Sequence, residues 1–302
     1  MSAPQAVARL AVAPDNDLGL TVGPLWQGPG DPTLRFETGR LLRATRTAAG
    51  AAALAIERVD SRHVEARAWG AGAEAVLAGL GELLGEADRP ELFEPRHGLI
   101  AELLRRRPVR MPRSRAVFEA LLPAIIAQKV TSFEARRSYR VLIGRYGERA
   151  PGPLGLRLQP APEVLAGLPY HAYHEFGIER RRADTIRSAA AVADSLERLV
   201  ELPAAEAAAG LMSLAGIGQW TAAETVRPAL GDPDTVSIGD YNLPHLVCWA
   251  LAGERRGDDA RMLELLEPYR GQRARAIRLL VVAGRWPPRR GPRLAARQIA
   301  RL

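Results

Sequence analysis

Leu214-Ala215-Gly216-Ile217-Gly218-Gln219-Trp220-Thr221-Ala222 decides how this chain is read. Two glycines two positions apart permit positive φ and close backbone approach, so the stretch predicts a tight turn between two helices. Upstream, Pro203 suits a first helical turn, and the alanine-rich run to Met212 sustains the helix. Downstream, a helix starting at Gln219 or Trp220 presents unpaired amides, an arrangement that attracts an anion such as phosphate. Further out, Gly231-Asp232-Pro233-Asp234 is a turn. The apolar run Thr235-Val236-Ser237-Ile238 then reads as a short buried strand leading into Gly239-Asp240-Tyr241, where a third helix opens. An acid at a helix start is commonly a cap; Asp240, at the junction of strand and helix, is also placed to do chemistry.

The pattern Leu214-x-Gly216-Ile217-Gly218-x-Trp220-Thr221-Ala222, followed by Gly231-Asp232-Pro233-Asp234 and Gly239-Asp240-Tyr241, resembles the helix-hairpin-helix DNA glycosylases. Among them it most resembles the 3-methyladenine DNA glycosylase II branch. The resemblance implies an α+β chain: a mainly helical, two-lobed helix-hairpin-helix core with an N-terminal antiparallel β-sheet domain. The expected division is a sheet domain over residues 1–90 and a helical glycosylase region over 91–302. The hairpin then falls at about 203–230, and the cleft for DNA and base lies between the two lobes.

Carried over by position, Gly216, Ile217, Gly218, Gln219, Thr221 and Ala222 would bind DNA through the hairpin. Asp240 would be catalytic, and Trp220 and Tyr241 would supply an aromatic base pocket. The stretch Ala124-Ile125-Ile126-Ala127-Gln128-Lys129-Val130-Thr131 also resembles the family, with Gln128 bordering the base pocket and Lys129 standing where a residue wedges into the duplex. Lysine departs from an apolar wedge, but its stem can insert while its ammonium meets a phosphate. Glu224, one helical turn beyond Trp220, takes a place where the family can show an aromatic; it either brings an acid to the pocket or faces solvent. The hairpin resemblance also implies a monovalent cation held by the backbone carbonyls of Met212, Leu214 and Ile217. No cofactor is expected to be required.

Breaking an N-glycosidic bond builds positive charge on the sugar, and an ionised carboxylate beside C1′ stabilises that charge and orients the attacking water. Asp240 fits this task. The target base must leave the duplex, and aromatic faces can receive it; a cationic alkylated purine gains further from an electron-rich face. Strand-cleaving relatives use a lysine in or near the hairpin as a Schiff-base nucleophile. Here that position is Trp220, and Lys129 is the only lysine of the chain. The resemblance therefore implies a monofunctional glycosylase that releases damaged, alkylated purine bases from double-stranded DNA and leaves an abasic site. Two alternatives stay open: a catalytically altered damaged-DNA-binding protein of the same fold, and a helical protein-interaction module.

Composition agrees in outline. With 302 residues and 47% apolar content there is material for two or three cores. Lys plus Arg number 42 against 34 acids, a net charge of +8 that favours a polyanionic partner. One cysteine, Cys248, leaves no intramolecular disulfide and no four-cysteine iron–sulfur cluster. No apolar run approaches the roughly 20 residues of a spanning helix, so a cytoplasmic, monomeric protein is expected. In the N-terminal part, strands are expected at residues 18–22, 34–36, 41–47, 52–59 and 64–69, then a helix at 73–84. Helices are expected at 99–106, 114–130 and onward to Tyr146, with Gly147 as a C-terminal stop. The tail over residues 285–293 is rich in proline and arginine, either packed or a basic arm.

Overall fold

Residues 52–56, Ala-Ala-Leu-Ala-Ile, are all buried although successive side chains of a strand point to opposite faces. The strand that holds them is therefore covered on both sides. The structure, a computed structural model, describes residues 3–288. In it, β1 (Ala6–Ala11), β2 (Leu34–Glu37), β3 (Arg40–Thr47), β4 (Gly50–Arg58) and β5 (His63–Trp69) form one antiparallel sheet in the order β1-β5-β4-β3-β2. Leu41 opposes Ile56, and Ala6 opposes Ala68. One face packs on Leu80, Leu83 and Leu84, and the other on Leu154, Leu156 and Leu158.

Two expectations for this region are corrected. Residues 18–22 are helix α1 (Leu18–Val22), because Asp17 caps it by accepting from the Leu20 amide at 2.9 Å; that local bond outweighs the apolar alternation. The fifth strand is instead β1, whose arginine- and alanine-rich sequence hides its pattern. The helix expected at 73–84 is broken at Gly79 into α2 (Ala73–Ala78) and α3 (Leu80–Leu83).

The rest of the described chain is helical: α4 (Gly98–Arg106), α5 (Val117–Ile126), α6 (Ser132–Tyr146), α7 (Pro162–Gly167), α8 (Tyr170–His174), α9 (Arg180–Ala191), α10 (Ala193–Glu197), α11 (Ala204–Met212), α12 (Gln219–Leu230), α13 (Leu243–Ala252), α14 (Asp259–Leu266) and α15 (Arg273–Val282). Its apolar residues fall into two clusters. One joins α5, α6, α9, α11 and α12, and the other joins α4, α13, α14 and α15.

Helix α5 is shorter than the expected 114–130. Arg115 takes a positive φ of 56° and ends the preceding strand-like segment, and the Glu197 carboxylate then caps the amides of Val117 and Phe118, both at 2.8 Å. At the other end Lys129 takes a φ of 53°, which turns the chain into α6. Thr131 and Glu134 close a capping box there.

Residues 235–238 are not a strand. Among the described residues no neighbouring chain pairs with them, and Val236 and Ile238 pack instead on the cluster of α13 and α15. Residues 289–293 of the proline- and arginine-rich tail lie outside the described residues.

Candidate active site

Asp240 sits in the loop between α12 and α13, held by three N–H donors. Its Oδ1 accepts from the amides of Asn242 and Leu243 at 2.7 and 2.9 Å, and its Oδ2 accepts from the Trp220 indole Nε1 at 2.9 Å. All three partners are donors, the surroundings an anionic carboxylate needs. A carboxylate has about four lone-pair positions, so one remains for a water or a ligand.

Trp220 and Asp240 line a cavity of about 500 Å³ between the sheet and the two helical clusters. A volume of this size is ordinary for a small-molecule or base-sized ligand. The wall also carries Trp26, Trp286, Glu224, Arg227 and Arg278. Glu224 accepts from the Ser237 hydroxyl and pairs with Arg227. On the sheet side, Glu119 of α5 accepts from the Thr45 hydroxyl, the Arg46 amide and the Arg43 guanidinium, which docks α5 on β3 and completes the wall.

The hairpin stands beside this cavity. Gly216 has a φ of 88°, and a Cβ there would lie 2.1 Å from the Thr185 hydroxyl of α9, so only glycine fits. Gly218 differs. Its φ of −106° suits any residue, and a Cβ would meet open space, so packing within the chain does not account for it. It precedes α12 without a capping side chain, leaving that helix's first amides to a partner.

No family model and no curated protein matches the sequence. Solved structures do. The 3-methyladenine DNA glycosylase from Archaeoglobus fulgidus superposes with a TM-score of 0.76 at 25% identity, covering 92% of this chain and 98% of that one. The chain has the helix-hairpin-helix DNA glycosylase fold. Two further structures share it. MBOgg1 in complex with a low-affinity DNA ligand superposes at a TM-score of 0.73 and 16% identity over 92% of this chain and 95% of that one. The Clostridium acetobutylicum 8-oxoguanine glycosylase/lyase, bound to double-stranded DNA, gives 0.70 at 14% identity over 94% and 99%.

Within this glycosylase fold, the residues singled out from sequence separate into groups. Asp240, Trp220 and Glu224 meet at the cavity. Gln128 does not line it; its side-chain amide donates to the Gly216 carbonyl and the Thr221 hydroxyl, both at 2.9 Å, and so ties the end of α5 to the hairpin. Tyr241 also lies outside the cavity wall, 78% exposed, with its ring edge-on to His245. Ile217, Thr221 and Ala222 have buried side chains, so only their backbones can reach a ligand, whereas Gly218 and Gln219 are exposed. Lys129 is exposed at the tip of the α5–α6 turn. Of the three carbonyls expected around a monovalent cation, that of Leu214 accepts from the Ile217 amide at 3.1 Å.

Trp26, Trp286 and Arg278 escaped the sequence reading. Trp26 follows a short turn after α1, in a region with no motif, and its ring packs edge-on against Phe36 at 5.7 Å. Arg278 lies in α15, whose arginine-rich sequence does not show which of its arginines turns inward.

Proposed function

We propose that this protein is a monofunctional DNA glycosylase that flips a damaged base out of double-stranded DNA and hydrolyses its N-glycosidic bond. The observation that carries the proposal is the Asp240 carboxylate, fixed by Trp220 and two amides on the wall of a base-sized cavity beside the hairpin. Neighbours of the same fold include a 3-methyladenine DNA glycosylase and an enzyme bound to DNA containing 8-oxoguanine.

In the reaction, water adds to C1′ while the bond from C1′ to the base nitrogen breaks and its electron pair leaves with the base. Asp240 stabilises the positive charge on the sugar and orients the water. Trp220 has two tasks, since it offers a face to the cavity and holds Asp240 through its indole N–H. The hairpin, with Gly216, Gly218 and Gln219 presenting backbone and the buried side chains of Ile217, Thr221 and Ala222 bracing it, receives a phosphate. A monovalent cation at the Met212, Leu214 and Ile217 carbonyls would strengthen that contact.

Lys129 occupies the wedge. Left-handed backbone at a non-glycine residue is costly and is retained where the structure around it demands it, and Lys129 takes it at an exposed tip beside the hairpin. Phe133, near the start of α6, is 65% exposed. Gln128 serves the site by fixing the hairpin, and Tyr241 is placed to meet the duplex rather than the extruded base.

The absence of lyase chemistry rests on the same geometry: Lys129, the only lysine, lies outside the cavity wall. Alkylated purines are the lesion class that the motif resemblance brings. The test incubates the protein with methylated duplex and with duplexes carrying hypoxanthine or uracil, then measures free base, alkali-revealed abasic sites and spontaneous strand breaks. Free base with alkali-dependent breaks is expected. Breaks without alkali, trapped by borohydride, would contradict the monofunctional assignment, and DNA binding without base release would leave a damage-binding protein.

A further inference from the structure

Four arginines line the cavity among the described residues; Arg43 and Arg227 are paired with acids, Arg136 is exposed, and Arg278 of α15 is turned inward with no acid among the described residues. The three acids of the wall are committed elsewhere. Glu119 holds Arg43, Thr45 and Arg46; Glu224 holds Arg227 and Ser237; Asp240 holds its three N–H donors. Among the described residues Arg278 makes one hydrogen bond, from Nη2 to the Leu20 carbonyl at 3.0 Å, and its buried Nε has no partner there. Gly23 makes room for the guanidinium, since a Cβ at that position would lie 2.9 Å from Nη2. Burial, with Arg227 adding repulsion, pushes the Arg278 side chain down to about 10, still cationic at neutral pH.

A buried, under-bonded cation costs stability and is usually paired. A ligand acceptor in the cavity would complete Arg278. Phosphates stay outside with the strand backbone, so the acceptor belongs to the base. Arginine forks match a keto oxygen and an adjacent ring nitrogen, the O6 and N7 edge of an oxopurine. A ring-charged alkylated adenine offers neither this edge nor a compatible charge beside the unpaired Arg278.

We propose that Arg278 is the specificity-determining residue of this pocket, receiving the keto oxygen of a neutral oxopurine such as hypoxanthine and setting that class ahead of cationic alkylpurines. The assignment rests on the glycosylase reading and departs from the alkylated-purine class that the motif resemblance brings. It also has a consequence for the rate. When a neutral oxopurine departs, the electron pair of the broken N9–C1′ bond leaves negative charge on the ring, delocalised to O6, and solvent protonates the free base afterwards. Arg278 holds that charge as it forms, an interaction stronger in the transition state than in the ground state. A cationic alkylpurine departs neutral and needs no such partner.

The test compares wild type, Arg278→Met and Arg278→Lys in single-turnover release of hypoxanthine from a defined duplex and of 3-methyladenine from methylated duplex. A second arm measures affinity for a duplex carrying 2′-fluoro-deoxyinosine, which resists cleavage, against one carrying an abasic analogue. Arg278→Met is expected to lower hypoxanthine release at least tenfold, chiefly in the chemical step, and to leave 3-methyladenine release unchanged or raised. Arg278→Lys should fall between. The Tm of Arg278→Met should equal or exceed that of wild type, which separates lost recognition from lost folding. Equal losses on both substrates, or wild-type release of 3-methyladenine alone, would overturn the assignment. If wild type released neither base, the glycosylase reading would fail by itself; tighter binding of the fluoro-inosine duplex, lost in Arg278→Met, would still support Arg278 as the base reader.

Discussion

At the scale of single residues, the bond from Trp220 to Asp240 joins two side chains twenty positions apart, and sequence named both without revealing their contact. Trp220→Phe keeps a ring at the cavity and removes the N–H. A hydrogen bond to a charged group contributes about 1.5–3 kcal/mol, so base release should fall roughly ten- to a hundredfold while affinity for abasic DNA changes little; single-turnover rates beside binding isotherms check this. The two hairpin glycines make a sharper pair. Gly216→Ala drives a methyl group into the Thr185 hydroxyl in a left-handed backbone and should destabilise the protein by about 1–3 kcal/mol in denaturant unfolding. Gly218→Ala meets open space, so it should leave stability unchanged and weaken DNA binding. Gly216 and Gly218 are equivalent letters in the motif, and the structure gives them different work. Asp240 and Trp220 were legible because each lies in a short motif, and Glu224 because it stands one helical turn beyond Trp220. Arg278 and Trp26 were not, because their approach to the cavity depends on contacts between segments some 250 residues apart, such as Arg278 with Leu20.

At the scale of elements, the segment over residues 231–242 carries the Asp240 carboxylate without regular structure to stiffen it. Its anchor is Asp234, which accepts from the Arg273 amide at 2.9 Å and pairs with the Arg273 guanidinium at the start of α15. Burial raises the Asp234 carboxyl, and the Arg273 bonds overcome this and hold it below the usual carboxylate range. An acid depressed in the folded state stabilises the protein above its unfolded value of about 3.9 and loses that contribution as pH falls through its lower folded value. Wild type should therefore melt above Asp234→Asn at pH 6, with the gap closing below about pH 4. Glu197, raised by its burial against α5, responds with the opposite sign, so the difference between the two proteins is the informative quantity. The apolar run 235–238 had suggested a strand because alternation alone does not tell whether a pairing partner exists.

Across the whole molecule, the N-terminal region and the last described helix are bound together by charge. Arg275 of α15, fully buried, pairs with Asp88 and donates to the Val109 carbonyl at 2.6 Å. Removing one partner of a buried pair leaves an uncompensated charge, so Asp88→Ala should cost about 3–5 kcal/mol in unfolding free energy. The helical fold was readable from the 3.6-residue periodicity of α5 and from the hairpin motif. The sheet was read only in part, since the arginine- and alanine-rich sequence of β1 hides its alternation and the cap at Asp17 makes a helix of an apparent strand. The outer arginines act more simply. Affinity for duplex DNA should fall steeply with salt, roughly 0.9 logarithmic units per decade of salt for each phosphate neutralised, as a titration series would show.

The most direct measurement is the rate of base release by wild type and by Asp240→Asn from the same damaged duplex, with affinity for that duplex measured in parallel. The account predicts that the variant binds as wild type does and releases base about a hundred- to a thousandfold more slowly. Equal rates from the two proteins would contradict it.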